Sequence, residues 1–209
     1  MNTRRLILLA AGFAVLLAAP LGQGAYIIYL LTLWMVFSIA AMGLNITLGY
    51  AGQVSLAQAA FMGIGAYTTA LLTMNGVHWV FAAPASSLLC FVVGLGLGYP
   101  ALRVQHHFLA FVTLAFNTLV FLVLRNEEWL TGGSYGIAGI PRPDLLVVDV
   151  GGNLGFYYFA LAMFVVCAAL LNGMLRSPWG RAFRSLRENP IRAERDRKST
   201  RLNSSHGYI

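Results

Sequence analysis

Residues 25–48 read AYIIYLLTLWMVFSIAAMGLNITL, an apolar run without a single charged side chain. A helical crossing of a lipid bilayer needs about 20 such residues. The run lies inside a longer one: between Arg5 and Arg103 the chain contains no Asp, Glu, Lys or Arg at all. A water-facing surface cannot be made from such material, whereas lipid does not penalise exposed Leu, Val and Phe. Across all 209 residues 58% are hydrophobic and 10% charged, against roughly 25% charged in soluble domains. The chain is therefore read as an all-α, polytopic transmembrane helical bundle embedded in the lipid bilayer.

Working outward, apolar segments at 6–21, 25–48, 57–74, 79–102, 108–124 and 156–175 give six expected spans. With the N-terminus cytoplasmic, six spans leave Arg4, Arg5, Arg103 and everything after Arg176 inside, and Glu127, Glu128, Asp144 and Asp149 outside. That distribution is the one the positive-inside rule expects. Arg4-Arg5 followed by a short apolar run also fits a signal peptide, with Gly22-Gln23-Gly24 as a cleavage site. An uncleaved span is the reading taken, since the rest of the chain is itself membrane-embedded. The net charge of +7 comes largely from Arg near span ends, without the aromatic–basic interleaving of a nucleic-acid surface, so no nucleic-acid partner is expected. Cys90 and Cys167 each stand alone in apolar runs and read as small core residues.

Residues 43–67, GLNITLGYAGQVSLAQAAFMGIGAY, place five Gly together with Asn45, Gln53, Ser55 and Gln58 in apolar surroundings. Irregular backbone at membrane depth is tolerated only where it is buried in protein or lines a wet cavity, and broken helices of this kind mark solute paths in transporters. Two readings stay open: a substrate path, or a cytoplasmic turn followed by a helix packed closely through its small residues. Asn117, in the middle of a span, either faces a path or bonds a neighbouring helix. Gly94 and Gly98 have the GxxxG spacing, read as packing within the bundle. His106 and His107 lie at an expected cytoplasmic boundary without further ligands at suitable spacing, so no metal is implied.

The outside connection, residues 125–155, contains TGGSYGIAGIPRPD, too rich in Gly and Pro for a regular helix. Its length suits a functional surface as well as a passive lid. No catalytic motif is present. A phosphate-binding GxxxxGK[ST] loop is missing, the Gly pairs fall in spans rather than after strands, and no acidic side chain lies within a span to relay protons. No cofactor is implied, and energy for uphill transport would have to come from another chain.

Beyond the last span, residues 177–194 read SPWGRAFRSLRENPIRAE. Phe183 and Leu186 form an apolar stripe among Arg181, Arg184 and Arg187, giving a short helix along the membrane face. Asn189-Pro190 is a helix start, with an N-cap before Pro at the first position. Such a segment could dock into a cytoplasmic partner or simply anchor the chain by charge.

Four blocks, 43–67, 99–116 (YPALRVQHHFLAFVTLAF), 130–143 (LTGGSYGIAGIPRP) and 177–194, occur in an order and spacing that resemble the LivM-type permeases of branched-chain amino acid ABC transporters, over about residues 28–194. The resemblance implies the permease subunit of an importer in the bacterial inner membrane, paired with a sister permease, cytoplasmic ATP-binding subunits and a periplasmic or lipid-anchored substrate-binding protein. It also implies that Asn45, Gln53, Ser55, Gln58 and Asn117 lie near the solute path, and that Glu188, Pro190, Ile191 and Glu194 belong to the loop that touches an ATPase. Many members carry Glu and Arg where this chain has Thr118 and Phe121, and importers of urea, short amides and aromatic amino acids resemble it too. A secondary transporter or channel of unrelated family is the other reading.

The end of the chain has a different character. Lys198 is the sole lysine, and Asp196–His206, DRKSTRLNSSH, is the translation of a common short-read sequencing adapter. The stretch lacks apolar periodicity and could not bury enough surface to fold. Residues 1–194 are accordingly expected to be the incomplete, C-terminally truncated front part of a permease domain, and 195–209 a non-native disordered tail.

Overall fold

A computed structural model describes residues 3–101, 106–143 and 151–188. The expected Pro190 helix start, Ile191, Glu194 and the tail at 195–209 fall outside them. Every regular element among the described residues is helical: α1 (Thr3–Ala18), α2 (Ala25–Leu44), a π-helical segment (Asn45–Tyr50), α3 (Gln58–Met74), α4 (Trp79–Ala101), α5 (His106–Asn126), α6 (Glu128–Thr131), a 3-10 turn (Gly133–Tyr135), α7 (Asn153–Arg176) and α8 (Pro178–Glu188). The connection at 125–155, expected to be irregular, thus includes one helical turn and a 3-10 turn.

Four helices are long and apolar enough to cross a membrane: Ala25–Tyr50, Trp79–Tyr99, Phe108–Asn126 and Asn153–Arg176. α1 and α3, the other two expected spans, have 16 and 17 residues, or roughly 25 Å at 1.5 Å per residue, a little under the hydrocarbon thickness of about 30 Å. Large apolar side chains face outward all along the bundle; on α4, Phe81, Leu88, Phe91 and Leu95 are 71%, 63%, 62% and 58% exposed. Water would forbid that surface and lipid requires it. The molecule is a multi-pass membrane protein.

Two packings make up the bundle. In the first, Ile28, Thr32 and Met35, spaced i, i+4, i+7 on α2, are buried, and Ile28 and Met35 pack with Tyr157, Ala160 and Leu161 of α7. The fully buried Tyr157 donates its hydroxyl to the Leu16 carbonyl at 2.6 Å, and Tyr158 reaches Leu17 at 3.1 Å. The last turn of α1, whose carbonyls have no partner within their own helix, is thereby bonded to α7. In the second packing, α3 lies against α4 and α5. The Thr69 and Ser86 hydroxyls are hydrogen-bonded at 2.9 Å, and the Phe61 and Phe116 rings lie 5.5 Å apart. Gly94 is open to Phe61, where a Cβ would stand 3.7 Å from the ring, while Gly98 has nothing within 4 Å. Of the GxxxG pair, only Gly94 therefore packs inside the described bundle. Trp79 meets Phe159 edge to face at 5.3 Å and links the two packings.

Candidate functional site: the break after α2

α2 does not end in a capped turn. At Asn45 its hydrogen bonding widens into a π segment, with the Ala51 amide donating to the Ile46 carbonyl at 2.9 Å. Such widened turns occur frequently at functional sites. The Gln53 amide then closes back on the Thr47 carbonyl at 2.9 Å, Gly52 turns the chain with a φ of +67°, and the backbone runs without regular structure to α3.

The sequence-predicted residues are distributed along this break. Asn45 opens the π segment, and its Oδ1 occupies the space at Gly49, 2.2 Å from where a Cβ would stand. Only glycine fits there without moving the amide. Gln53, half-buried, contributes its backbone to closing the turn. Ser55 Oγ accepts the Ala57 amide at 3.4 Å, just before α3 begins. Gln58, the first residue of α3, reaches back to α2: its Nε2 donates to the Ala40 carbonyl at 3.1 Å. Gln58 also lines a cleft of about 450 Å³ between α2, α3 and α4, with Val36, Phe61, Ser86 and Cys90 among its walls. Asn117 stands apart on α5, half-buried, one turn beyond Thr113. Glu188 is the last residue of α8, while Pro190, Ile191 and Glu194 lie outside the described residues.

Two contacts that sequence reading missed hold the break in place. Buried Thr113 of α5 accepts the Leu56 amide on its Oγ1 at 3.0 Å, so an irregular segment with no ladder of its own finds a partner across the bundle. Arg187 of α8 donates through Nη1 to the Gly49 carbonyl at 2.6 Å. Asn45, Gly49, Tyr50, Arg184 and Arg187 line a cleft of about 600 Å³ between the π segment and α8. The signals for these contacts were faint: a Thr in a span resembles any other, and an Arg beside a membrane face reads as anchoring.

In the connection after α5, the TGG sequence is a terminator. Fully buried Thr131 donates its hydroxyl to the Leu124 and Glu127 carbonyls at 2.6 and 2.8 Å and accepts the Gly133 amide at 3.2 Å. Gly132 has a φ of +71°, and a Cβ there would fall 2.4 Å from the Gly136 carbonyl oxygen. Arg142 returns the loop to α7, bonding Asn153 Oδ1 at 3.1 Å with its guanidinium carbon 5.5 Å from the centre of the Phe156 ring. Among the described residues, no group of His, Cys, Asp and Glu is placed to hold a metal ion.

Residues 26–195 match the family described as "Branched-chain amino acid transport system / permease component". The High-affinity branched-chain amino acid transport system permease protein LivM of Escherichia coli (strain K12) is 35% identical over 184 residues, covering 77% of this chain and 43% of that protein. Its namesake in Salmonella typhimurium is 33% identical over 184 residues, with the same 77% and 43% coverage. A Probable branched-chain amino acid transport permease protein LivM of Methanocaldococcus jannaschii is 30% identical over 112 residues, covering 53% of this chain and 32% of the relative. The chain spans less than half the length of the relatives it matches. No solved structure matches.

Proposed function

The chain belongs to the branched-chain amino acid transport permease family, and from that membership we propose that it is part of the membrane-spanning subunit of an ABC importer for branched-chain or related amino acids, in the bacterial inner membrane. It lines the solute path and is driven by ATPase subunits on separate chains, with a sister permease beside it and a periplasmic or lipid-anchored binding protein delivering the solute. The observation that carries this reading is the family match across residues 26–195, with identity of 35% to a permease so named.

The break after α2 supports a path close to it. Asn45, Gln53, Ser55 and Gln58 lie on the break between α2 and α3, where unwound backbone and side-chain amides can meet a polar solute at membrane depth. Asn117 is a more distant candidate on the half-buried side of α5. Glu188 and the adjoining Pro190, Ile191 and Glu194 are proposed as the ATPase contact.

A crossing by α3, one of the six proposed spans, also gains support. α2 and α7 pack together through their N-terminal halves, and their C-terminal ends meet through α8, so the two helices run in the same direction. Counting only the four long helices makes α2 first and α7 fourth, which demands opposite directions. If α3 crosses as well, the directions agree.

Reconstitution of the full-length protein with its sister permease, ATPases and binding protein tests the proposal. ATP-dependent uptake of leucine, isoleucine or valine is expected, and none from the permeases alone. Uptake by the permeases alone, driven by an ion gradient, would establish the secondary-transporter reading instead.

A further inference from the structure

We infer that Arg187 is a positioning residue for transport: it ties α8, and through α8 the proposed ATPase contact, to the helix break proposed as the solute path. The inference rests on the function proposed above but concerns how movement reaches the path, not which solute uses it.

Two independent features converge on this side chain. The Gly49 carbonyl stands at the C-terminal end of the π segment, where carbonyls have no partner in their own helix and a cation is favoured by the helix dipole. The Arg187 Nη1 donates to it at 2.6 Å across 138 residues of sequence. The stem of the same side chain lies on Gly52, where a Cβ would stand 2.8 Å from Arg187 Cγ and φ is +67°. Head and stem of Arg187 therefore grip the break at two points three residues apart.

Arg184, one turn earlier, has another task. Its Nε donates to the Gly180 carbonyl at 3.1 Å and its Nη2 to the Leu175 carbonyl at 3.3 Å, which holds the start of α8 to the end of α7. Gly180 is buried where a Cβ would collide with the Leu175 backbone, 2.0 Å from its oxygen, so this corner is closely packed. The chain of contact runs from α7 through Arg184 to α8, then through Arg187 to Gly49. Asn45 follows, its Oδ1 filling the space at Gly49. A displacement of α8 is transmitted to the side chain that opens the break, because each link is a directed bond or a close contact. Arg187 also immediately precedes Glu188 and the proposed ATPase contact.

The test uses the full-length protein in its assembled complex, with Arg187→Gln, Arg187→Lys and Gly52→Ala. A charge-assisted hydrogen bond of this kind is worth on the order of tenfold in an equilibrium. Arg187→Gln should lower amino-acid uptake per ATP hydrolysed about tenfold with the complex intact, Arg187→Lys should restore part of it, and Gly52→Ala should act like Arg187→Gln by pushing the arginine stem away. Uptake per ATP equal to wild type in assembled Arg187→Gln complexes would overturn the inference. So would a loss of uptake that only follows a loss of assembled complex in both Arg187→Gln and Gly52→Ala. A second readout is independent of the solute: Tyr50→Cys should react faster with an aqueous thiol reagent once Arg187 is replaced, and an unchanged rate would likewise overturn it. Failure of wild-type complexes to import branched-chain amino acids, with the labelling difference present, would fault the proposed function and leave the linkage standing.

Discussion

At Thr113 a single hydroxyl resolves a problem posed by the break. Its proton goes to the carbonyls of its own helix, Leu109 or Ala110 at 2.9 and 3.0 Å, and its oxygen remains free to accept the Leu56 amide. Valine has nearly the same shape and no acceptor. Thr113→Val should therefore lower stability by about 1–3 kcal/mol, the cost of an unsatisfied backbone donor, while Thr113→Ser retains most of it. Thermal unfolding of the full-length protein in detergent measures both, and equal midpoints for Val and wild type would show that Leu56 finds another partner. Nothing in the local sequence marks this residue. Thr32, Thr68 and Thr118 bond their own helices in the same way, and the arrival of an irregular segment 57 residues distant distinguishes Thr113 from them.

At the scale of elements, α8 begins where its caps place it. Ser177 is extended, with ψ of 173°, and its Oγ accepts the Trp179 amide at 3.2 Å ahead of Pro178 at the first helical position. Ser177→Ala should cost the helix about 1 kcal/mol, seen as faster amide hydrogen exchange confined to residues 178–188; unchanged exchange would mean that packing against α7 fixes the start. On the proposed ATPase contact, Ile191→Asp should block association with the ATPase and stop transport while membrane insertion is kept, because a carboxylate buried in an apolar groove costs several kcal/mol, roughly. Co-purification of the subunits checks it, and normal recovery of ATPase with Ile191→Asp would remove Ile191 from the interface. Elements were largely legible in the sequence because apolar length is a strong signal: the ends of α4 and α7 fall within about three residues of the expected spans. The clustering of Gly and amide side chains at 43–67 likewise announced a disturbance after α2. Its form was not legible. A π segment differs from a tight turn by which carbonyl each amide selects, and here that pattern coincides with Asn45 folded onto Gly49 and Arg187 arriving from the far end of the chain. No local pattern of residues records a contact of that separation.

For the whole molecule, direction is the quantity that packing constrains and composition does not. α2 and α7 share a buried core of Ile28, Met35, Tyr157, Ala160 and Leu161 near their starts, and Arg187 joins the sequel of one to the sequel of the other. Both helices therefore point to the same side, and an odd number of crossings must turn the chain back before α4. In the proposed six-span arrangement α3 supplies it even at 17 residues, since a slightly short helix is accommodated by local thinning of the bilayer at modest cost. Charge then sets the sign. Arg176 ends α7 and Arg181, Arg184 and Arg187 follow it, and the proposed orientation puts this cluster in the cytoplasm, where the positive-inside rule favours it. Two exposed serines on the described surface report on this arrangement: Ser134, beside the fully exposed Tyr135 on the loop after α5, and Ser185 on α8. With Cys90 and Cys167 replaced by Ala, Ser134→Cys in the full-length protein should react with a membrane-impermeant thiol reagent in intact spheroplasts. Ser185→Cys should react only once the membrane is opened. Labelling of Ser185→Cys from outside would invert the topology, and labelling of both sites from the same side would show an even number of crossings between residues 134 and 185, against the single crossing by α7.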